Sequence, residues 1–172
     1  MMQQVADLQI INGYGPTEAT ICSTLYSVGN ESAAHFNTPI GSAVQNTRCY
    51  VLDQQKQAVP IGVSGELYIG GIALAKGYLN QPMLTEEKFI DNPFCDSSVN
   101  NGNSEKLYKT GDLVRYLDNG CLEFVGRSDY QVKLRGYRIE LGEIESLLLA
   151  QDVILESVVL VREDVVNDKR LV

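Results

Sequence analysis

The sequence predicts a mixed α/β chain of the α+β kind, and three observations carry that prediction. Apolar and polar residues alternate through Leu113-Val114-Arg115-Tyr116-Leu117 and again from Cys121 to Val125, on either side of Asp118-Asn119-Gly120. Two short alternating runs around Asn-Gly read as a β-hairpin, with positive φ expected at both central turn residues. After Gly136 the period changes: Leu141, Ile144, Leu147 and Leu148 recur at helical spacing. Glu140, Glu143 and Glu145 stand at the start of that helix, where carboxylates suit the positive end of the dipole. An apolar β-rich run, Ser157-Val158-Val159-Leu160-Val161, follows, and a helix with a strand after it commonly opens a small α+β lobe.

At 172 residues the chain has room for one ordinary domain or two small ones. With 44% hydrophobic and 21% charged residues it has the material of a soluble globular core. No apolar run approaches the roughly 20 residues of a membrane span, so no membrane partner is expected. The opening MMQQVADLQI has neither the basic region nor the apolar core of a signal peptide. Cys22, Cys49, Cys95 and Cys121 are scattered and His35 is the one histidine, which argues against a zinc site and against a histidine-based hydrolase. Reduced thiols in a cytoplasmic protein are the plain reading.

The net charge is −8, yet Lys106, Lys109, Arg115, Arg127, Lys133, Arg135 and Arg138 face only Asp112, Asp118, Glu123 and Asp129. A local basic surplus in an acidic chain suits a small anion rather than a nucleic acid, which needs broad positive charge. For any single one of these cations a solvated face is the simpler reading.

Taken in order, residues 8–11 read as a strand. It leads into Asn12-Gly13-Tyr14-Gly15-Pro16-Thr17-Glu18, an irregular loop whose glycines allow close backbone approach. Thr17 and Glu18 together could bind a phosphate and its divalent cation, and Tyr14 could stack on a planar base. The same residues also suit a helix cap at Thr17 beside a surface Glu18. Pro39-Ile40-Gly41 reads as a tight turn, residues 49–52 as a strand and residues 54–60 as a hairpin loop. Residues 65–71 alternate between glycines as another strand, and Thr85 reads as the cap of a short helix anchored by Phe89 and Ile90. Residues 91–105 read as an exposed loop. Asp112 is expected at a turn after Thr110-Gly111, with turn capping as its simplest role.

Several of these segments resemble one family. Tyr-Lys-Thr-Gly-Asp-Leu from Tyr108, followed by Gly-Arg-x-Asp-x-Gln-Val-Lys-x-Arg-Gly-x-Arg-Ile-Glu-x-x-Glu-Ile-Glu, resembles the last half of an adenylation domain of a nonribosomal peptide synthetase. Such domains belong to the adenylate-forming enzymes, alongside acyl-CoA synthetases and luciferases. Asn-x-Tyr-Gly-Pro-Thr-Glu from Asn12 and Gly-Glu-Leu-Tyr-Ile-Gly-Gly from Gly65, with Ala75-Lys76-Gly77-Tyr78, are similar to further core motifs. Lys76 replaces an arginine common there, and residues 91–105 exceed the family's usual length.

The resemblance implies the end of a large adenylation lobe with a β-rich, barrel-like subdomain over residues 1–128. Residues 129–172 would be the hinge and the start of a truncated small lobe. It implies that Asn12 and Tyr14 hold the adenine, Thr17 touches the α-phosphate, Glu18 ligates Mg²⁺ and Asp112 binds the ribose diol. Phe124 would lie beside the adenine, and Arg127 would reach ribose or phosphate. Gly13, Ile21 and Cys22 would line the amino-acid pocket, and being small or apolar they hint at an uncharged substrate. Asp129 would be the hinge, Lys133 and Gly136 part of a loop passed by the pantetheine arm of a downstream carrier domain, and Arg138 a phosphate contact. The whole enzyme would form aminoacyl-AMP and pyrophosphate from amino acid and ATP, then transfer the acyl group to that thiol.

Both ends read as cut, and neither the family's phosphate loop nor its late lysine lies in these 172 residues, so turnover by this chain alone is not expected. Two rivals stand beside this reading: a piece of an acyl-CoA synthetase-like ligase, and a non-catalytic nucleotide-binding or interaction domain.

Overall fold

A computed structural model describes residues 8–29, 38–95, 105–128, 131–134, 137–165 and 168–172. The chain divides into two compact units, Met1–Gly126 and Arg127–Val172.

In the first unit, β1 (Ile10–Tyr14) pairs antiparallel with β2 (Thr24–Val28), which pairs with the short β3 (Ser42–Ala43). The larger sheet runs β4 (Thr47–Leu52), β5 (Gly65–Gly71), β7 (Lys106–Tyr116), β6 (Phe89–Asp91), with β8 (Leu122–Arg127) also pairing β7. Successive residues of β5 point to opposite faces, and Leu67, Tyr68 and Ile69 are all buried, so this strand is covered on both sides. Leu67 and Ile69 join Ala19, Ile40, Val51, Val114 and Leu122 in one core. Tyr68 joins Leu52 and Leu107 in a second. The first core carries Ala19, so the loop after β1 is packed directly onto the larger sheet.

Several expectations are corrected. The hairpin between β7 and β8 is present, but only Gly120 has positive φ (78°), and Asn119 does not. Gly120 N–H donates to Leu117 O at 2.9 Å, and Asn119 Oδ1 accepts from Cys121 N–H at 3.0 Å. The arrangement is a turn followed by a left-handed glycine, which needs one positive φ rather than two. Asp112 sits not at a turn but within β7. Between the pairs Glu66↔Leu113 and Tyr68↔Lys109, Leu67 alone stands opposite Thr110, Gly111 and Asp112, a bulge with Gly111 at φ 76°. Thr85 lies inside α1 (Pro82–Lys88), where its hydroxyl donates to Gln81 O at 2.9 Å; the helix starts earlier because Pro82 suits the first turn. Pro39-Ile40-Gly41 is no tight turn: Ile40 N–H donates to Leu122 O at 2.8 Å and Gly41 bridges Leu122. Of the expected loop 91–105, Asp91 belongs to β6, Glu105 O accepts from Asn92 N–H at 2.8 Å, and residues 96–104 lie outside the described residues.

The second unit contains the hairpin β9 (Gln131–Leu134) with β10 (Tyr137–Glu140), then α2 (Leu141–Leu149). The strand expected at 157–161 begins only at Val161: β11 (Val161–Val165) pairs with β12 (Asp168–Leu171). Leu160 and Val172 exchange backbone hydrogen bonds of 2.9 Å, so the ladder reaches one residue further than the strands.

Two glycines separate steric from conformational demand. A Cβ on Gly41 (φ 87°) would lie 1.9 Å from Leu25 O, whereas one on Gly120 (φ 78°) would meet nothing within 4 Å. Urea unfolding is expected to show Gly41→Ala costing about 3 kcal/mol, overpacking added to left-handed strain, and Gly120→Ala only about 1 kcal/mol. Equal losses would contradict this assignment.

Candidate functional site

The loop after β1 closes on itself before it meets anything else. Ser23 N–H donates to Tyr14 O at 2.8 Å, and Ile21 N–H to Pro16 O at 3.3 Å. The space between is so small that a Cβ on Gly15 would sit 2.5 Å from Ile21 O. Thr17–Ala19 forms one 3₁₀ turn with Pro16, not Thr17, at its cap and no side-chain capping bond. Thr20 and Ile21 follow in the left-handed region, φ 55° and 72°. For a β-branched residue that conformation is costly and persists only where its surroundings impose it.

Glu18 is not the surface residue of the simpler reading: it is 8% exposed. Its carboxylate accepts from the Tyr78 hydroxyl at 2.7 Å, and its backbone oxygen from Ala75 N–H at 2.8 Å. Thr20 Oγ1 donates to Ala73 O at 2.6 Å. The loop is thus stapled to the chain between β5 and α1. Tyr78 is held in turn: Thr85 Oγ1 accepts its N–H at 2.8 Å, and its ring meets Phe89 edge-on at 5.8 Å. Phe89 packs on Tyr108 of β7 at 5.1 Å. Burial first, then the bond to Glu18, pushes the Tyr78 hydroxyl well above the ordinary phenol range.

The loop and the bulge meet at one contact. Tyr14 Oη donates to Asp112 Oδ2, joining residues 98 apart, and Asp112 is 4% exposed. The resemblance-derived residues Tyr14 and Asp112 are therefore brought together, and Glu18 is tied to the same strand through Tyr78, Phe89 and Tyr108. Asn12 Nδ2 donates to Pro39 O at 2.7 Å. Phe124 packs on the first core from β8, and Arg127 ends that strand. Gly13 faces Cys22, since a Cβ there would lie 3.6 Å from the Cys22 sulfur; Ile21 is 80% exposed. Asp129 and Gly136 lie outside the described residues, and of Lys133 and Arg138 only the backbone is described, paired across β9 and β10. Among the described residues no three His, Cys, Asp or Glu side chains cluster as a metal cage. Sequence reasoning assigns no contact to Glu66 or Tyr78: alternation marks residues 65–71 as a strand and the resemblance marks both segments as motifs, but neither signal names a side chain's partner.

Comparison with known proteins adds a second line of observation. The family model described as "AMP-binding enzyme" matches residues 1–79. Tyrocidine synthase 1 of Brevibacillus parabrevis is 51% identical over 157 residues, 91% of this chain and 14% of the relative. Bacitracin synthase 3 of Bacillus licheniformis is 54% identical over 154 residues, 90% of the chain and 2% of the relative. Among solved structures, PA1221, described as an NRPS protein containing adenylation and PCP domains, superposes with a TM-score of 0.79 at 36% identity, over 95% of this chain and 32% of that one. NpsA-ThdA, an artificially fused adenylation-PCP di-domain from Klebsiella oxytoca, gives 0.78 at 31% identity, over 98% and 30%. The chain therefore spans a small part of the proteins it matches.

The buried hydroxyls and thiols around the cores set an alkaline limit. Burial pushes the Cys49 thiol up to about 12 from 9.0, and burial followed by the Glu66 carboxylate pushes Tyr68 up to about 12 from 10.0. Both groups keep their protons longer folded than unfolded. Stability is therefore complete below pH 9.0 and falls as the pH rises toward 12. The urea midpoint should drop between about pH 8 and about pH 11, and Tyr68→Phe should shallow the drop. An unchanged midpoint would rule this out.

Proposed function

We propose that the chain serves as the C-terminal part of an amino-acid-activating adenylation domain, since the AMP-binding enzyme family model matches residues 1–79 and about half the residues are identical to segments of tyrocidine synthase 1 and bacitracin synthase 3 over about nine-tenths of the chain. Residues 1–128 belong to the large lobe and 129–172 to the hinge and small lobe. The whole protein joins an amino acid to ATP, giving aminoacyl-AMP and pyrophosphate, and passes the acyl group to the pantetheine thiol of a downstream carrier domain. The pairing of adenylation with PCP domains in PA1221 and NpsA-ThdA supports a carrier partner. The description of PA1221 as an NRPS protein favours this reading over an acyl-CoA synthetase-like ligase.

The contact between Tyr14 and Asp112 is the observation that supports it most directly. One side chain offers a flat ring for a base and the other a carboxylate for a ribose diol, and one mononucleotide spans such a pair. Thr17 follows at the α-phosphate and Asn12 at the adenine edge. Phe124, Arg127 and Arg138 complete the nucleotide contacts, while Gly13, Ile21 and Cys22 border the amino acid. Asp129, Lys133 and Gly136 serve the turn of the small lobe toward the carrier.

The donor set suits Mg²⁺. That ion keeps several waters and is held by one or two carboxylates together with substrate phosphates, not by an all-protein cage. A single carboxylate already fixed by Tyr78 meets this need, and Glu18 would hold the metal. When bound, the ion neutralises phosphate charge during attack by the substrate carboxylate. The chain's own part is to fix the α-phosphate beside that carboxylate, because alignment and charge compensation lower the barrier.

Calorimetry with AMP on the 172-residue chain tests the reading. Binding is expected, and Asp112→Ala should weaken it about thirtyfold, or about 2 kcal/mol, the scale of hydrogen bonds to a charged group. AMP affinity unchanged by that substitution, or no binding by the parent chain, would overturn it.

A further inference from the structure

In the motif Gly65-Glu66-Leu67-Tyr68-Ile69-Gly70-Gly71 the apolar residues serve the two cores, and nothing above gives Glu66 a part in the site. We infer that Glu66 is a positioning residue for Asp112: its carboxylate builds the bulge of β7 that aims Asp112 at Tyr14. The inference rests on the nucleotide reading of Asp112.

Leu67 is the single residue of β5 opposite Thr110, Gly111 and Asp112, so the ladder cannot pair all of their backbone groups. Side chains take its place. Glu66 Oε1 accepts from Gly111 N–H at 3.0 Å, Thr110 Oγ1 donates to Leu67 O at 2.7 Å, and Thr110 Oγ1 accepts from Asp112 N–H at 3.0 Å. All three bulged residues are buried, where a backbone N–H left without an acceptor is costly.

The two oxygens of Glu66 divide the work. Oε2 is approached by the Tyr68 hydroxyl at 3.3 Å and the Lys109 ammonium at 3.9 Å. Those two contacts fix the carboxylate's rotation and turn Oε1 toward Gly111. An acceptor reaching from the neighbouring strand is what lets Gly111 hold φ 76°, and that kink sets the direction of the next side chain, Asp112. Removing the Glu66 carboxylate takes away the acceptor that ties Gly111 N–H to β5, and the bulge loses that tether. Glu66 itself touches no substrate in this scheme.

Calorimetry on the full 172-residue chain, with AMP and with 2′,3′-dideoxy-AMP as probes, separates positioning from general damage. The parent chain should prefer AMP. Glu66→Ala should lose about tenfold in AMP affinity with dideoxy-AMP affinity unchanged, so the preference for the diol collapses. Glu66→Gln keeps an acceptor oxygen at the same reach and should retain the preference, with thermal unfolding recorded for each variant. Equal losses for both nucleotides in Glu66→Ala, or a preference undiminished there, would overturn the inference and leave the nucleotide reading standing. A parent chain that does not distinguish the two nucleotides would remove the diol role of Asp112 and this inference with it.

Discussion

A buried carboxylate in the middle of a strand is an unstable proposition unless hydrogen bonds meet it, and the first unit is arranged to meet that condition at Asp112. The ladder between β5 and β7 is interrupted there; Thr110 and Glu66 meet backbone groups of the bulge, and Tyr14 meets the Asp112 carboxylate. Tyr14 can reach only because its loop is folded tightly over Gly15 and carried to the sheet by Ala19. Local backbone demands and long-range packing therefore meet at one side chain.

The same logic explains why the stretch between β5 and α1 is not a passive connection. It accepts a hydrogen bond from Thr20, donates one to the backbone of Glu18, and through Tyr78 holds the Glu18 carboxylate. Thr85, inside α1, spends its hydroxyl on this stretch by accepting from Tyr78 N–H. A threonine at a helix start would have capped the helix; here it is placed one turn in and locks the tyrosine. The left-handed conformations of Thr20 and Ile21 fit this picture, since a loop pinned at both sides can sustain strain that a free loop would shed.

Much of the architecture was legible because hydrophobic alternation is a direct record of which face is buried. The strand at 65–71 matches the residues that alternate, and the helix of Leu141, Ile144, Leu147 and Leu148 matches its period. What could not be read was the bulge. Thr110-Gly111 looks like a turn because a glycine with positive φ serves both purposes, and only a partner strand tells them apart. Asn12 shows the same limit: an amide beside a glycine suits a nucleobase or a carbonyl, and within this unit Pro39 O is the partner at hand. The convergence of Tyr14 on Asp112 was reachable only through resemblance, because no local pattern links residues 98 apart.

At such a site shape and chemistry can be separated. Replacing Asp112 removes one carboxylate, but replacing Glu66 leaves that carboxylate in place and changes where it points. The difference is detectable only with a ligand pair that isolates the diol, because affinity for a single nucleotide falls in both cases. A motif can thus be indispensable to a binding site while none of its atoms reaches the ligand. On the proposed reading the strand β5 is such a motif: its apolar residues lie in both cores, and its one carboxylate accepts from Gly111 N–H in the bulge that carries Asp112.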